Sequence, residues 1–374
     1  MRVLEMISSH HWTGPAEQVL SLAEGLAREG VEVEVAAATV PEGNLPGKVR
    51  ERGLPLVSEL HLYKRRFRLR YAFSDIRWLG AAMAEGRYDL IHCHLSHDHS
   101  LALAARRVRG REVPIIRTVH NSTSVRRRPL QGLLYRPTDG LIAVSRTFAR
   151  GLVENYRLPA DRVRAIMGAV DHERFRPRAD RAVARARHGF AESEFLIGIV
   201  SRIKPGRGHP ELIEAFARIA PKLPDARLVV IGRGETRSEM EIAARRFGLG
   251  ERARFLGYLA DDLPEAVAML DVKVLLGEGS DGSCRAAVEA LACGVPVLAA
   301  PVGTMPETIR DGETGWLLPA LTVKDLTEAL PRIHRGRDHL PAMGRAARAD
   351  VEARFTEATR TRATLDFFRE VLGR

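Results

Sequence analysis

Residues 197–216, IGIVSRIKPGRGHPELIEAF, set the fold class of this chain. An unbroken apolar run ends in a polar loop that contains two glycines, and the loop leads directly into an amphipathic helix. Apolar runs of this kind are typical of parallel strands that are buried on both faces of a sheet. The stretch therefore predicts a strand, a loop and a helix, which is the repeating unit of an α/β fold.

The same unit recurs along the whole chain, where short runs rich in Val and Ile alternate with amphipathic helical patterns. The first half contains predicted strands at residues 2–7, 31–38, 88–94, 113–120, 141–145 and 163–167. The second half contains predicted strands at residues 195–201, 227–232, 252–257, 272–277 and 295–300. We predict a doubly wound parallel sheet with right-handed connections in each half.

The length of 374 residues predicts two domains, because a single hydrophobic core stops growing below this size. The strand rhythm stops and the charge rises over residues 171–187, so we place the linker there. We predict one domain at 1–172, a second at 173–355 and a terminal helix at 356–374. Ligands of such sheets bind at the carboxyl ends of the strands, so the cleft between the domains is the expected site.

The composition favours a protein of the cytoplasm. No run reaches the ~20 apolar residues of a membrane span, and the N-terminal MRVLEMISSHH has no apolar segment of signal-peptide length. Cys93, Cys284 and Cys293 have no C-x-x-C spacing, which disfavours a disulfide framework or a zinc ribbon.

The net charge of +11 is concentrated in residues 61–130. Two interpretations remain open: contact with an anionic membrane or another acidic acceptor, or plain solvation in a chain whose usual cation is Arg. Nucleic acid is the least favoured partner. The segment contains 15 basic residues against five acids, and the basic ones are Lys64, Arg65, Arg66, Arg68, Arg70, Arg77, Arg87, Arg106, Arg107, Arg109, Arg111, Arg117, Arg126, Arg127 and Arg128.

Two loops have the composition of anion sites. Gly14 lies between the first predicted strand and a helix, where helix amides and close backbone approach favour an anion. In the second half, Arg202 and Arg207 flank a Pro-Gly turn, and Gly208 precedes a helix. Two guanidiniums beside a helix N-terminus are suited to a diphosphate. Ordinary turn glycines and solvated surface arginines are the alternatives.

A third loop brings carboxylates to the same predicted edge. Residues 272–319 contain a strand, a polar loop and a helix predicted at about 283–293. Asp281 and Glu289 are eight residues apart, a little over two helical turns, so both carboxylates could face one cleft. Carboxylates so placed can accept hydrogen bonds from sugar or ribose hydroxyls.

The order and spacing of these strings resemble the retaining glycosyltransferases of family 4 over nearly the full chain. Further matching strings are GLIAVS at 140–145, AIMGAVDHERFRP at 165–177, LVVIGRGE at 228–235 and the last 21 residues. The resemblance implies the GT-B architecture of two facing Rossmann-like domains, with the last helix crossing back to the first domain. It also implies transfer of a sugar from a nucleotide-diphosphate sugar, with UDP favoured.

The resemblance assigns roles to the candidate residues. Arg202 matches the residue on the diphosphate, and Arg207 stands where the family usually has Lys. Glu289 matches the second acid of a Glu-x7-Glu motif, which holds the ribose, and Asp281 replaces the first Glu and is one methylene shorter. Glu278 could also stand for the first Glu of the motif, but its spacing from Glu289 does not fit, so Asp281 is preferred. The expected donor-binding set also contains Gly14, Gly208, Gly232, Gly282 and Ser283.

Two histidine-containing strings complete the candidates. His120, at the end of VPIIRTVH, matches a family histidine that approaches the donor sugar and phosphate. The string HCHLSHDH, residues 92–99, has the histidine content of a metal site. Similar strings are frequent at this position in the family, which needs no metal. We therefore expect no metal or other cofactor. Gly168 and Ala169 replace the Asn and Gly usual in the family, so acceptor geometry is not carried over from it.

The predicted reaction retains the anomeric configuration, and the leaving phosphate takes the proton of the acceptor hydroxyl. His120, Arg202, Arg207 and Asp281 are the expected catalytic residues. The acceptor is expected to be a lipid or a cell-envelope glycan, reached from the inner face of a membrane. An epimerase or phosphorylase of the same architecture, or a catalytically silent nucleotide-sugar-binding module, remains as the alternative.

Overall fold

The computed structural model describes residues 1–40, 42–63, 69–109, 113–279, 282 and 284–374. The chain divides into two compact units. Unit 1 comprises Met1–Ala169, Ser280–Ser283 and Glu357–Arg374, and unit 2 comprises Val170–Gly279 and Cys284–Thr356. The terminal segment therefore belongs to unit 1, although it follows unit 2 in the sequence.

Unit 1 contains a six-stranded parallel sheet with the strand order β2-β1-β3-β4-β5-β6. All six predicted strands of this half are present, and most are one to three residues shorter than predicted because the apolar runs continue into the loops. The strands are β1 (Arg2–Ile7), β2 (Glu32–Ala37), β3 (Leu90–Cys93), β4 (Ile115–Val119), β5 (Gly140–Ala143) and β6 (Val163–Ala165).

The helices of unit 1 connect and cover these strands. Their apolar faces are buried, and Thr13, Asn121 and Ser145 cap the helices that follow them by accepting backbone N–H groups. In the described residues they are α1 (Gly14–Arg28), α2 (Leu45–Glu51), α3 (Leu69–Ala84), α4 (Ser96–Arg109), α5 (Ser122–Val125), α6 (Gly132–Tyr135), α7 (Arg146–Tyr156) and the terminal α16 (Glu357–Leu372).

The terminal helix α16 is built into the core of unit 1. Phe367 and Phe368 are buried among residues of α1 and the sheet. A Cβ atom placed on Gly140 of β5 would lie 2.9 Å from Cε1 of Phe367, so the helix lies directly against the strand. The buried Arg360 donates to the backbone carbonyl of Gln18 at 3.1 Å and to Ser21 Oγ at 2.9 Å.

Unit 2 contains a second six-stranded parallel sheet, with the order β12-β11-β10-β7-β8-β9. The five predicted strands are present, and a sixth was missed. The strands are β7 (Phe195–Val200), β8 (Ala226–Ile231), β9 (Ala253–Gly257), β10 (Val272–Leu275), β11 (Val297–Ala299) and β12 (Gly315–Leu317). The missed strand β12 has three residues at the sheet edge, too few for a periodic pattern.

The helices of unit 2 alternate with its strands. In the described residues they are α8 (Arg181–Arg187), α9 (His209–Ile219), α10 (Arg237–Arg246), α11 (Leu263–Ala268), α12 (Arg285–Ala292), α13 (Met305–Thr308), α14 (Val323–Arg335) and α15 (Leu340–Arg354). The crossovers put helices against a sheet whose strands β7, β8 and β10 are almost wholly buried, which explains the apolar runs of these strands in the sequence.

The linker prediction for residues 171–187 was wrong in its second half. Helix α8 lies in that segment and is part of unit 2. Arg185 is buried, and its guanidinium donates to Asp271 Oδ2 at 2.7 Å and to the carbonyl of Met269 at 3.0 Å. The high charge that suggested a linker therefore belongs partly to an internal ion pair.

Removing the Phe367 ring is expected to destabilise unit 1. Phe367→Ala leaves a cavity between α16 and β5 and should lower the free energy of unfolding by about 3–5 kcal/mol. Phe73→Ala is the matched control, because that ring is 65% exposed. Calorimetric unfolding of both variants measures the effect, and an equal, small loss in the two would contradict the packing role of α16.

Candidate functional site

Three loops meet at the carboxyl edge of the unit 2 sheet, where β10, β7 and β8 are neighbours. Glycines allow the loop backbones to touch. A Cβ on Gly232, after β8, would lie 2.0 Å from the Ser201 carbonyl oxygen, after β7. A Cβ on Gly277, after β10, would lie 2.3 Å from the Gly206 carbonyl oxygen. The loops are therefore in direct contact at the edge where the sequence predicts that the donor binds.

Gly208 positions the first turn of α9. It is the N-cap of that helix with a φ of 78°, in the left-handed region that favours glycine. A Cβ at this position would also lie 2.3 Å from Cβ of Leu276, so the space is closed to any side chain. The free amides at the start of α9 therefore sit beside the loop that carries Arg202 and Arg207.

The two predicted arginines differ in their exposure. Arg202 is exposed, whereas Arg207 is partly buried. Burial lowers the pKa of Arg207, and the nearby Arg202 guanidinium lowers it further, but an arginine remains charged. Burial also lowers the pKa of His209 to about 4, with repulsion from Arg207 as a second cause, so His209 is neutral. The loop therefore presents two positive charges and a neutral imidazole.

Glu289 lies one turn inside α12, whose first residue follows the same sheet edge. Its side chain is buried, and Oε1 accepts a hydrogen bond from Arg285 Nε at 2.8 Å. Lys273, on β10, is fully buried and donates to the Ala286 carbonyl. Burial lowers the pKa of Lys273 to about 8, while Glu289 acts in the opposite direction.

The helix around Glu289 begins later than predicted. Helix α12 starts at Arg285, whereas the sequence predicts a start at about residue 283. That the carboxylates of Asp281 and Glu289 face one cleft stays a prediction. Asp281 and Ser283 lie outside the described residues. Gly282 is described and lies in a turn.

In unit 1, Gly14 is the first residue of α1. Thr13 caps the helix by accepting from the Ala16 amide at 3.4 Å, and Asp98 Oδ2 accepts from the Ser8 amide at 3.1 Å. Burial raises the pKa of Asp98 to about 6, against the effect of Arg117 and several backbone amides. These contacts hold the loop between β1 and α1, so the helix amides at Gly14 form a fixed potential anion site.

His120 belongs to a buried polar cluster that spans β1, β3 and β4. His120 Nε2 lies 3.1 Å from His94 Nδ1, and His94 Nε2 lies 2.6 Å from Glu5 Oε2. The other carboxylate oxygen of Glu5 lies 3.0 Å from His92 Nδ1. His92 Nε2 in turn lies 2.8 Å from Thr118 Oγ1. The four ionisable side chains of this cluster are at most 4% exposed.

The cluster contains a charged carboxylate, that of Glu5, and two neutral imidazoles, those of His94 and His120. Burial opposes ionisation of Glu5, but His92 and His94 outweigh it and hold the pKa of Glu5 at about 2. Burial lowers the pKa of His94 to about 4 and moves the pKa of His120 well below its usual value. His94 and His120 are therefore neutral at physiological pH.

Two of the histidines that suggested a metal cluster, His92 and His94, lie together, whereas His99 has a different partner. His92 and His94 share Glu5, and the ligand atoms of these three lie within 4.8 Å of one another. The carboxylate–imidazole distances of 2.6 and 3.0 Å are those of hydrogen bonds, and both carboxylate oxygens are used. His99 instead contacts Thr138 Oγ1 through Nε2 at 2.8 Å.

A small cavity of about 30 Å³ in unit 1 adjoins the histidines. It has room for about one small polar group. Its polar lining residues are Gln18, His94, Thr118, His120, Arg360 and Thr364. The amide of Gln18 also donates to and accepts from the backbone of Ala169, at 2.9 and 3.1 Å, which fixes the segment where Gly168 and Ala169 depart from the family pattern.

Sequence reasoning missed Glu5 and Lys273. Each is a charged residue with apolar residues on both sides, Glu5 in RVLEMI and Lys273 in VKVL, and that interruption was the available signal. A charge in a strand buried on both faces requires a partner from a neighbouring element. The partners, however, lie far away in the sequence and only the sheet order identifies them.

The basic residues of segment 61–130 differ in their environment: some are paired or buried, and others are exposed. Arg87 pairs with Glu34, Arg106 pairs with Asp139, and Arg117 is buried, so these residues contribute little to an external patch. Arg107, Arg126, Arg127 and Arg128 are exposed. Lys64, Arg65, Arg66, Arg68 and Arg111 lie outside the described residues.

Comparison with known proteins identifies both parts of the chain. Residues 12–174 match the model described as Glycosyltransferase Family 4, and residues 180–350 match that of Glycosyl transferases group 1. D-inositol 3-phosphate glycosyltransferase of Saccharomonospora viridis is 30% identical over 77% of this chain and 71% of its own length. Phosphatidyl-myo-inositol mannosyltransferase of Mycobacterium leprae is 30% identical over 86% and 84%.

Solved structures show the same fold. Anabaena HepE in complex with UDP has a TM-score of 0.86 at 20% identity, covering 99% of this chain and 100% of HepE. Sucrose-phosphate synthase of Thermosynechococcus elongatus has a TM-score of 0.79 at 20% identity, covering 100% and 99%. The fold and these relatives define a glycosyltransferase of the GT-B architecture. The chain belongs to glycosyltransferase family 4.

Among the described residues, the helices are all too short or too polar to cross a bilayer.

The close contact between Gly208 and Leu276 allows a test of the loop that carries Arg202 and Arg207. Gly208→Ala should weaken nucleotide binding and lower stability, because the new methyl group collides with Leu276 and displaces the start of α9. Gly206→Ala is the matched control: its φ is 77°, but no atom lies within 4 Å of the added Cβ. The control should lose only about 1–2 kcal/mol from backbone strain.

Calorimetric titration with UDP and thermal unfolding measure both effects. Equal nucleotide affinity in the two variants would show that the Gly208–Leu276 contact does not shape the binding loop.

Proposed function

We propose that this glycosyltransferase moves a sugar from a nucleotide-diphosphate sugar to an acceptor hydroxyl, with retention of configuration and without a metal ion. The main support is the arrangement of Arg202, Arg207 and the α9 N-terminus at the carboxyl edge of the unit 2 sheet. A diphosphate is the ligand that this combination of cations and amides suits best.

The basic loop would stabilise the departing nucleotide diphosphate. As the bond between the sugar C1 and the phosphate oxygen breaks, negative charge grows on that oxygen. Arg207 is partly buried, so its charge acts through less water than that of the exposed Arg202. Both guanidiniums and the α9 amides therefore lower the energy of the leaving group in the transition state.

The acceptor oxygen would bond to C1 on the face that the diphosphate leaves, and its proton would pass to the departing phosphate oxygen. That route requires no enzyme nucleophile. It also requires no metal ion, because Arg202, Arg207 and helix amides already supply positive potential.

Glu289 and His120 would orient the donor. Glu289 is buried and retains Oε2 for a ribose hydroxyl when Oε1 accepts from Arg285. His120 would accept a hydrogen bond from a sugar hydroxyl, since its Nδ1 is buried and has no partner among the residues that the structure describes. Asp281 and the amides at Gly14 are the remaining proposed contacts with the sugar and the phosphate.

UDP is the first nucleotide to test as part of the donor, since Anabaena HepE, which shares this fold, was crystallised with UDP and with UDP-glucose. Two relatives that are 30% identical to this chain are named for an inositol phosphate and a phosphatidylinositol. We therefore propose a phosphorylated polyol, free or lipid-linked, as the acceptor class. Cell-envelope glycans remain the broader class to which a lipid-linked product would belong.

Arg202→Ala and Arg207→Ala should each reduce transfer by about 10²–10³-fold, because each removes a charge that stabilises the leaving diphosphate. The assay measures UDP release from UDP-sugars with inositol phosphate or phosphatidylinositol as acceptor. Arg246→Ala, an exposed arginine of α10, is the matched control and should retain full activity.

The same assay tests the finer points of the proposal. EDTA should leave the rate unchanged, and proton NMR of the first product should show the anomeric configuration of the donor. Unchanged transfer by Arg202→Ala would exclude the proposed diphosphate site, and turnover that depends on inorganic phosphate would indicate a phosphorylase.

We also propose that unit 1 binds an anionic membrane surface. Four arginines and one acid, Glu154, line a cavity of about 380 Å³, so the lining is positively charged overall; the arginines are Arg127, Arg128, Arg136 and Arg157. Leu130 and Leu133 on the same segment are 74% and 62% exposed. Arginines that bind lipid phosphates, next to exposed leucines that can enter the apolar layer, are typical of a membrane-binding surface.

Charge reversal at Arg127 and Arg128 should weaken binding to phosphatidylglycerol-containing vesicles at least about tenfold, since each basic residue near the surface is worth about 1 kcal/mol. Arg245→Glu with Arg246→Glu is the matched control on α10. Co-sedimentation measures binding. An equal loss in the control pair, or no loss after Leu130→Ser with Leu133→Ser, would reject this surface.

A further inference from the structure

The cluster around His120 forms a continuous hydrogen-bonded chain from Glu5 through His94. Glu5 lies on β1, His94 follows β3 and His120 follows β4, and the sheet order β1-β3-β4 makes these strands neighbours. Glu5 and His92 are directly paired in the parallel register of β1 and β3. The contacts of 2.6 Å and 3.1 Å that link Glu5, His94 and His120 are hydrogen-bond distances.

The charge of Glu5 fixes the protons along this chain. An ionised carboxylate only accepts hydrogen bonds, so His94 must donate to it through Nε2–H. A neutral His94 then carries a lone pair on Nδ1. His120 must donate to that lone pair through its own Nε2–H, which leaves the Nδ1 of a neutral His120 without a proton.

The groups around His120 keep it neutral. Arg117 lies on β4, the strand that His120 follows, and Arg360 of α16 lines the cavity with His94 and His120. Burial is the largest cause of the lowered pKa of His120, and repulsion from His94, Arg117, His92 and Arg360 acts in the same direction. Glu5, the one acid in the cluster, contacts His92 and His94 rather than His120.

The bare Nδ1 of His120 is a buried acceptor, and no group of the described residues forms a hydrogen bond with it. A buried polar atom without a hydrogen bond is costly, and such atoms in native structures often serve a ligand. The ring lines the cavity of about 30 Å³, which has room for one hydroxyl group.

We propose that Glu5 and His94 are positioning residues that hold His120 in the tautomer with a protonated Nε2 and a bare Nδ1, so that His120 accepts a hydrogen bond from a hydroxyl group of the reacting sugars. The proposal rests on the proposed transferase function for the identity of that hydroxyl. The tautomer itself is a property of the protein without ligand and is testable separately.

Nitrogen-15 NMR of histidine-labelled full-length protein measures the tautomer directly. His120→Gln identifies the resonances of His120. In the wild-type protein, Nδ1 should show the shift of an unprotonated ring nitrogen from pH 5.5 to 8, with no titration. A protonated Nδ1 in this range would overturn the proposal whether or not the protein transfers sugar.

Two variants test the dependence on the chain of contacts. In Glu5→Gln, the amide no longer presents only acceptors, and in His94→Phe the acceptor for His120 is lost. Both should shift His120 towards a mixture of tautomers. His99→Gln is the matched control, because His99 is also buried but contacts Thr138 outside the cluster, and it should leave the His120 resonances unchanged.

Kinetics then connect the tautomer to the reaction. Glu5→Gln and His94→Phe should lower kcat by about tenfold or more, as expected for one hydrogen bond lost in the transition state, while His99→Gln stays near wild type. Folded variants with an unchanged His120 tautomer, or with a changed tautomer and full activity, would each reject the role of Glu5 and His94. Stoichiometric metal in the purified protein would also reject it, because a metal ion would replace the Glu5 hydrogen bonds.

Discussion

The carboxyl ends of parallel strands all lie at one edge of a sheet, and the chemistry proposed for this protein depends on that constraint. In unit 2 the order β10-β7-β8 makes neighbours of three loops that are distant in sequence. Glycines at 232 and 277 then let the loop backbones touch. Arg202, Arg207 and Glu289 thereby come to one edge, where a nucleotide diphosphate would meet both its cations and its ribose acceptor.

Charged residues inside the sheets bring a second constraint. Glu5 and Lys273 are fully buried, and burial of an unpaired charge is far too costly to persist. Unit 1 resolves this with two imidazoles on Glu5, whereas unit 2 places Lys273 against the Ala286 carbonyl and near Glu289. In each unit the buried charged residue therefore holds neighbouring polar groups in place: His94 beside His120 in unit 1, and the start of α12 with Glu289 in unit 2.

Arginine, the dominant cation of this chain, serves three different purposes. Arg185 is buried against Asp271 and stabilises the fold, Arg207 lies in the loop before α9 where we propose that the donor binds, and Arg127 is exposed beside other arginines. The planar guanidinium suits all three because it offers several donors in a fixed geometry. Composition therefore could not distinguish a structural arginine from a functional one.

The sequence by itself determined the two parallel sheets and eleven of their strands, because the alternation of apolar runs with amphipathic helices is a local pattern. It also singled out His120, Arg202, Arg207 and Glu289 as candidates. It could not find the three-residue β12, nor the true start of α12 at Arg285. Only the tertiary structure joined Glu5, His94 and His120, because these residues lie on separate strands and the sheet order, set by packing of the whole unit, makes them neighbours.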